Sequence, residues 1–278
     1  MTSLNLSIIG TGLLGASVAL AAKKHVKGVV VTCYDKTPEV RKKAVALGIA
    51  DKASDCAAEC VRDADIVIIA SPIFTFKELY FQIRDAIKPD CIVTDTGSTK
   101  TMPVMWARSI FKDKDAFIGS HPIAGSEKSG LENASADMLK GAKCIVTLHP
   151  EMDNKRLEKI NEFWQKLGCI TVNMTTEQHD KLYGLLSHLP HAAAAALVNS
   201  TSGVDLSFAG SGFKDATRIA AGPVDIWEDI FLSNAGNVTA GIDCLIESLN
   251  ELKKAINDRS RASISAFLTQ AQQRRREI

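Results

Sequence analysis

The chain has 278 residues, of which 46% are hydrophobic and 23% charged, an ordinary globular composition at a length that favours two domains. With 33 basic and 32 acidic residues, it offers no electrostatic reason to expect nucleic acid or a membrane surface as partner. No apolar run reaches the roughly 18 residues that span a bilayer.

The N-terminus begins directly on a strand pattern, without a basic segment, apolar stretch and cleavage site. Seven scattered cysteines form no CxxC pair, and several sit in apolar strands where a thiol behaves as a small hydrophobe. A reduced, cytoplasmic protein without disulfides or a cysteine-based metal site is expected.

In chain order, Leu6 to Ile9 is an apolar strand ending at Gly10-Thr11-Gly12-Leu13-Leu14-Gly15. Ala16 to Lys24 reads as a helix, and Val29 to Tyr34 as a β-branched strand ending at Asp35. Pro38 to Leu47 reads as a helix with Pro38 in its first turn and Gly48 as its stop. Further apolar strands are predicted over Ile66 to Ala70, Cys91 to Thr94, Ala116 to Gly119, Cys144 to Leu148 and Cys169 to Val172. Continuous apolar strands separated by helices predict an α/β fold: a doubly wound, mostly parallel sheet of the Rossmann type. After about Met174 the strands stop. Glu177 to Thr201, Phe213 to Ser233 and Ala235 to the C-terminus read as helices, and Ile242, Leu245, Ile246, Leu249, Leu252 and Ile256 line one apolar face. The expected domains are therefore a dinucleotide-binding domain over 1–174 and an all-helical domain over 175–278.

The glycine loop has the context of a dinucleotide site, with a strand before it, a helix after it and an acidic residue 20 positions on. Gly10 permits the tight turn, Gly12 lets the backbone approach a pyrophosphate, and Gly15 lets the helix pack on the strand. The pyrophosphate would meet the free N–H groups of the helix start, from Leu13 and Leu14. Asp35 would accept hydrogen bonds from the adenosine ribose and repel a 2′-phosphate, which favours NAD; the adjacent Lys36 leaves NADP open. A glycine turn that binds nothing, or binds FAD or S-adenosylmethionine, is the competing reading.

In an open parallel sheet, ligands lie beyond the carboxyl ends of the strands. Ser71, Pro72, Ser98, Lys100, Ser120 and His121 fall there. His121 is either a general base for a hydroxyl undergoing oxidation or a histidine that caps a loop. In the second half, Arg218 either grips a carboxylate with its planar fork or forms a salt bridge with Asp215 or another carboxylate. His188 and His191 lie three apart on one helical face, but neither a carboxylate nor a cysteine completes a metal set, and no metal is expected. His25, His149 and Trp227 read as structural or surface residues.

Taken in order, Gly-Thr-Gly-Leu-Leu-Gly-Ala-Ser, Asp-Thr-Gly-Ser-Thr-Lys (95–100), His-Pro-Ile-Ala-Gly-Ser-Glu-Lys-Ser-Gly (121–130), Ser-His-Leu-Pro-His (187–191) and Gly-Phe-Lys-Asp-Ala-Thr-Arg-Ile-Ala (212–220) resemble the prephenate/arogenate dehydrogenase family of tyrosine biosynthesis. The resemblance implies an NAD-dependent oxidative decarboxylation, a homodimer formed through the helical domain, and an active site in the cleft between the domains. By the same resemblance His121 is the catalytic histidine at the ring hydroxyl and Ser98 its partner. Arg218 holds a substrate carboxylate, His191 positions the ring, Glu127 gates access, and His179 and Trp227 lie in family segments with less defined roles. The chain has room for neither a regulatory ACT domain nor a fused chorismate mutase, so feedback control by tyrosine would act at the active site. The sequence leaves prephenate against arogenate open, although Glu127 or Asp180 could favour an ammonium. The rival readings are a two-domain NAD(P) dehydrogenase of the β-hydroxyacid or imine reductase type, whose helical domain carries a catalytic lysine, and a non-catalytic NAD-sensing protein.

Overall fold

The structure, a computed structural model, describes residues 4–125 and 129–277. By its contacts the chain forms two compact units, one made of residues 1–183 and 221–234 and the other of 184–220 and 235–278.

The first unit opens with strand β1 (Asn5–Ile9), helix α1 (Leu13–His25), β2 (Val30–Tyr34), α2 (Pro38–Ala46), β3 (Lys52–Ser54), α3 (Ala57–Val61), β4 (Ile66–Ile69), α4 (Phe76–Ile83), β5 (Ile92–Asp95) and α5 (Thr101–Ile110). The five strands form a parallel sheet in the order β3-β2-β1-β4-β5. The order reverses between β1 and β4, the switch point at which such sheets bind ligands. Every residue of β4 and β5 is buried, which accounts for their unbroken apolar runs. The helix α1 buries Gly15, Ala16, Ala19 and Ala22, small residues that let it lie close to the sheet.

A second sheet follows, built from β6 (Ser120–Pro122), β7 (Lys143–Thr147) and β8 (Ile170–Met174), with α6 (Asn154–Lys166) between the last two. Strand β6 runs antiparallel to β7, and β7 parallel to β8. The strand expected over 116–119 is not a ladder strand; that segment makes one parallel bridge, Val93 to Phe117. The pairing begins at Ser120, so His121 lies within the strand and not after it.

After β8 come α7 (Thr176–Tyr183) and a π-helical turn over Gly184–His188, then α8 (Leu189–Asn199), α9 (Ser211–Thr217), α10 (Val224–Ser233), α11 (Ala235–Asn257) and α12 (Arg261–Arg275). The helix expected over 177–201 is thus interrupted. Pro190 has no N–H to donate, and its ring would clash with the carbonyl four residues back; the wider π turn absorbs the conflict. The helix expected over 213–233 is likewise split by a 3-10 turn at Arg218–Ala221 and by Pro223. The first unit therefore gains α7 and α10, and the second comprises α8, α9, α11 and α12. No helix among the described residues is long and apolar enough to cross a membrane.

Candidate active site

The glycine loop joins β1 to α1. Gly10 has φ +91°, and a Cβ there would stand 2.5 Å from the Ala70 carbonyl oxygen. A Cβ on Gly15 would stand 2.1 Å from the Gly10 carbonyl oxygen. Both positions are closed to side chains by the fold itself. At Gly12 a Cβ would meet nothing within 4 Å, so the chain leaves open space against that backbone, as a phosphate requires. Asp35 lies at the end of β2, where its carboxylate accepts hydrogen bonds from the backbone of Thr11 (2.9 Å) and Thr37 (3.0 Å). This fixes the acidic group beside the loop, with acceptor capacity left for hydroxyls. Ser71 and Pro72 follow β4, and the Ser71 hydroxyl lies 2.8 Å from that of Thr75. The arrangement fits a dinucleotide with its pyrophosphate on the start of α1.

His121 stands on β6 with its Nδ1 2.9 Å from Nε2 of His179, a residue 58 positions later on α7. The Nδ1 of His179 lies 2.8 Å from the Asp180 carboxylate. That carboxylate also accepts from the backbone N–H groups of Lys100 (2.8 Å) and Thr101 (2.9 Å). These are the first donors of α5, whose N-cap is the lysine itself. Lysine cannot accept a hydrogen bond, so the helix start takes its anion from α7. Burial works to raise the Asp180 carboxyl, but its hydrogen bonds from His179 and Thr101 hold it below its ordinary value. Burial lowers the His179 pKa. The ring of Tyr183 stacks beside both histidines, with centroids 5.1 Å from His121 and 4.7 Å from His179.

Beneath this group lies an ion pair between Lys100 and Asp95, both fully buried. Burial pushes the Asp95 carboxyl up and the Lys100 ammonium down, so neither charge is sustainable without the other. Lys100 Nζ also donates to the Ser120 carbonyl at 2.7 Å, and the Ser120 N–H donates to Asp95 at 2.9 Å. Trp164 and Thr94 both donate to the Ser120 hydroxyl. The residue before His121 is therefore held at its amide, carbonyl and hydroxyl. Ser98 is half-buried in the loop between these anchors. Its neighbour Thr99 donates to Ser233 on α10 at 2.9 Å, and Asn234 donates to the Asp180 carbonyl oxygen at 2.7 Å.

The expected site residues thus fall into groups. His121 and His179 are in direct contact, and Ser98 shares their supporting loop. His179 is fully buried, behind His121. Asp180 is buried and engaged on both oxygens, and does not stand open to an ammonium. Glu127 lies outside the described residues. In the second unit, His188 and His191 are both buried, and burial lowers the His191 pKa. Arg218 is exposed at the end of α9; among the described residues it makes no ion pair with Asp215 or any other carboxylate. Trp227 packs on Phe231 within α10, and His149 bonds to Asp115 at 2.9 Å, a structural contact. The sequence reading missed the pairing of Asp180 with His179 and the α5 start. Its visible signal was a helix beginning at Thr101 with no residue able to cap it.

Two family models match the chain: the nucleotide-binding domain of prephenate dehydrogenase over residues 18–173 and its dimerization domain over 175–270. The glycine loop precedes the first matched residue, so its reading rests on the geometry above. A cyclohexadienyl dehydrogenase of Zymomonas mobilis is 32% identical over 259 residues, which span 91% of this chain and 88% of that protein. The prephenate dehydrogenase of Bacillus subtilis is 31% identical over 271 residues, spanning 95% of this chain and 73% of its own length. The crystal structure of prephenate dehydrogenase from Aquifex aeolicus, in complex with hydroxyphenyl propionate and NAD+, is 36% identical, with a TM-score of 0.93 over 100% of this chain and 99% of that one.

Proposed function

This chain belongs to the prephenate dehydrogenase family, and we propose that it oxidatively decarboxylates prephenate, arogenate or both, giving 4-hydroxyphenylpyruvate or tyrosine. The observation that carries the reading is His121 on β6, in contact with His179 and opening the His-Pro-Ile-Ala-Gly motif whose histidine the family resemblance makes catalytic. NAD, bound on the glycine loop and Asp35, supplies the hydride acceptor. Gly10, Gly12, Leu13, Leu14, Gly15, Ser71 and Pro72 line its place at the switch point of the sheet.

The substrate is a cyclohexadienol with a hydroxyl at C4 and a carboxylate at C1. As hydride leaves C4, positive charge develops at that carbon, and His121 takes the hydroxyl proton. The bonding pair of the departing carboxylate enters the ring as carbon dioxide leaves, and the ring becomes aromatic. The proton is not consumed: His121 holds it while the charge develops and returns it to the phenolic oxygen. Ser98 supports the hydroxyl. Arg218 grips a substrate carboxylate, a role supported by its exposure and by the missing bridge to Asp215. His191 positions the ring and Glu127 gates access to it. Little else is asked of the protein than alignment.

We assign the dinucleotide-binding role to residues 1–174 and the substrate and dimerisation role to 175–278. A homodimer in the cytoplasm is the expected form, supported by the match to a dimerization domain and by the exposed apolar residues of α11 and α12. The test is NADH production by the purified chain with prephenate, with arogenate and with 3-hydroxy acids, each with NAD and NADP. Turnover of 3-hydroxy acids alone would replace this reading with the β-hydroxyacid one.

A further inference from the structure

We infer that His179 and Asp180 are positioning residues that fix the proton of His121 on Nδ1 and leave the lone pair of its base on Nε2. The inference rests on the proposed role of His121. Asp180 accepts three hydrogen bonds, two of them from backbone N–H groups that have no alternative tautomer. Its hydrogen bonds hold the carboxyl below its ordinary value, so Asp180 is an ionised carboxylate that can only accept, and the third bond, to Nδ1 of His179, is donated by the histidine. His179 is fully buried and its burial disfavours a second proton. With its hydrogen on Nδ1, its Nε2 carries a lone pair. His121 Nδ1 lies 2.9 Å from that atom and must therefore donate. Two rings on different elements are thereby set in one sense by the start of α5.

Among the described residues, the other titratable groups facing the pair do not reverse this order. Tyr183 on α7 and Cys144 on β7 are kept neutral by burial. The Lys100 charge is met by Asp95. Asp180 is then the negative charge behind His179. When His121 accepts the substrate proton at Nε2, the Nε2–H bond forms as the substrate O–H bond breaks. The imidazolium still donates from Nδ1 to His179, whose own hydrogen points at the Asp180 anion. The ring is stabilised in its charged form by an anion that does not itself touch substrate.

The test begins with 15N-labelled histidine in the unmodified chain, without cofactor or substrate. The ring nitrogen shifts should place His121 in its Nδ1–H form; a predominant Nε2–H form overturns the inference whatever the variants do. In His179→Phe, with folding checked by circular dichroism, the His121 tautomer should move toward Nε2–H. Its kcat should fall at least about tenfold with KM for substrate nearly unchanged. The acid limb of kcat/KM should move down by about one pH unit, because His121 loses the acceptor that favours its charged form. His179→Gln keeps a carbonyl acceptor near the Nε2 position and should recover much of both tautomer and rate. A folded His179→Phe protein with unchanged kcat and acid limb overturns the inference, as does a His179→Gln variant no better than phenylalanine. A chain that shows the Nδ1–H form yet leaves prephenate and arogenate unchanged refutes the proposed function and leaves the positioning role standing.

Discussion

His121 and Arg218 divide the proposed chemistry between a proton and a carboxylate, and their replacements should separate in kinetics. His121→Asn should lower kcat by about 10²- to 10⁴-fold, the usual range for a general base, with a modest change in KM. Normal turnover in that variant would remove His121 from the mechanism. Arg218→Ala should act mainly on KM, because the carboxylate is held before and during reaction; an unchanged KM would assign the guanidinium to the fold. Both residues could be singled out in the sequence because their motifs are contiguous, His-Pro-Ile-Ala-Gly and Lys-Asp-Ala-Thr-Arg. The partnership of His121 with His179 and Asp180 was not legible, since 58 residues separate the two rings and no local spacing reports a contact made by packing α7 on β6. His179, placed by its segment alone in the sequence, is a buried neighbour of His121.

At the scale of elements, the glycine loop makes a prediction that needs no ligand. Gly15→Ala places a methyl 2.1 Å from the Gly10 carbonyl oxygen, which is relieved only if the start of α1 moves away from the loop at Gly10. NAD affinity and melting temperature should fall together, and retention of both would mean the loop relaxes freely. The break between α11 and α12 makes another. Arg259 adopts φ +52°, and its N–H and that of Ser260 return to the carbonyls of Ile256 and Ala255, a Schellman-like stop. A left-handed residue with a side chain costs about 1 kcal/mol, so Arg259→Gly should stabilise the protein by up to about that amount in a urea titration. A lower midpoint would show that the side chain contributes more than the backbone loses. The sequence carried no sign of this stop, because the usual glycine is absent; the apolar pattern read straight through it. Strands β1, β2, β4 and β5 of the first sheet were legible to within a residue because they are apolar and largely buried, whereas the short edge strand β3, polar and mostly exposed, was not read at all. The short strand at His121 was misplaced for the opposite reason: Ser120 and His121 are polar residues whose backbone pairs while their side chains do other work.

For the whole molecule, the face predicted on α11 is only partly used. Ile242, Leu245 and Leu252 are half-buried, whereas Ile246, Leu249 and Ile256 are each 50 to 55% exposed. Phe208 is 88% exposed. Apolar side chains left in water on that scale mark an association surface. The unaltered chain should sediment as a dimer and the double variant Ile246→Asp/Leu249→Asp as a monomer; equal sedimentation would move the interface elsewhere. The two-domain plan was legible as the point where strands cease. The return of α10 to the first unit was not, because its sequence is as helical as its neighbours and only its partners, Thr99 and Asp180, reveal where it belongs.

The six residues from Asp95 to Lys100 touch both ends of the histidine pair. Their side chains hold Ser120, next to His121, and the backbone at their end holds Asp180, next to His179. Both rings are therefore referred to one datum. A thermal displacement of the loop carries the two imidazoles in the same direction, and the separation between them is a difference from which that displacement cancels. The tolerance of the contact is set by the stiffness of six residues and not by that of the 58 that divide the rings along the chain.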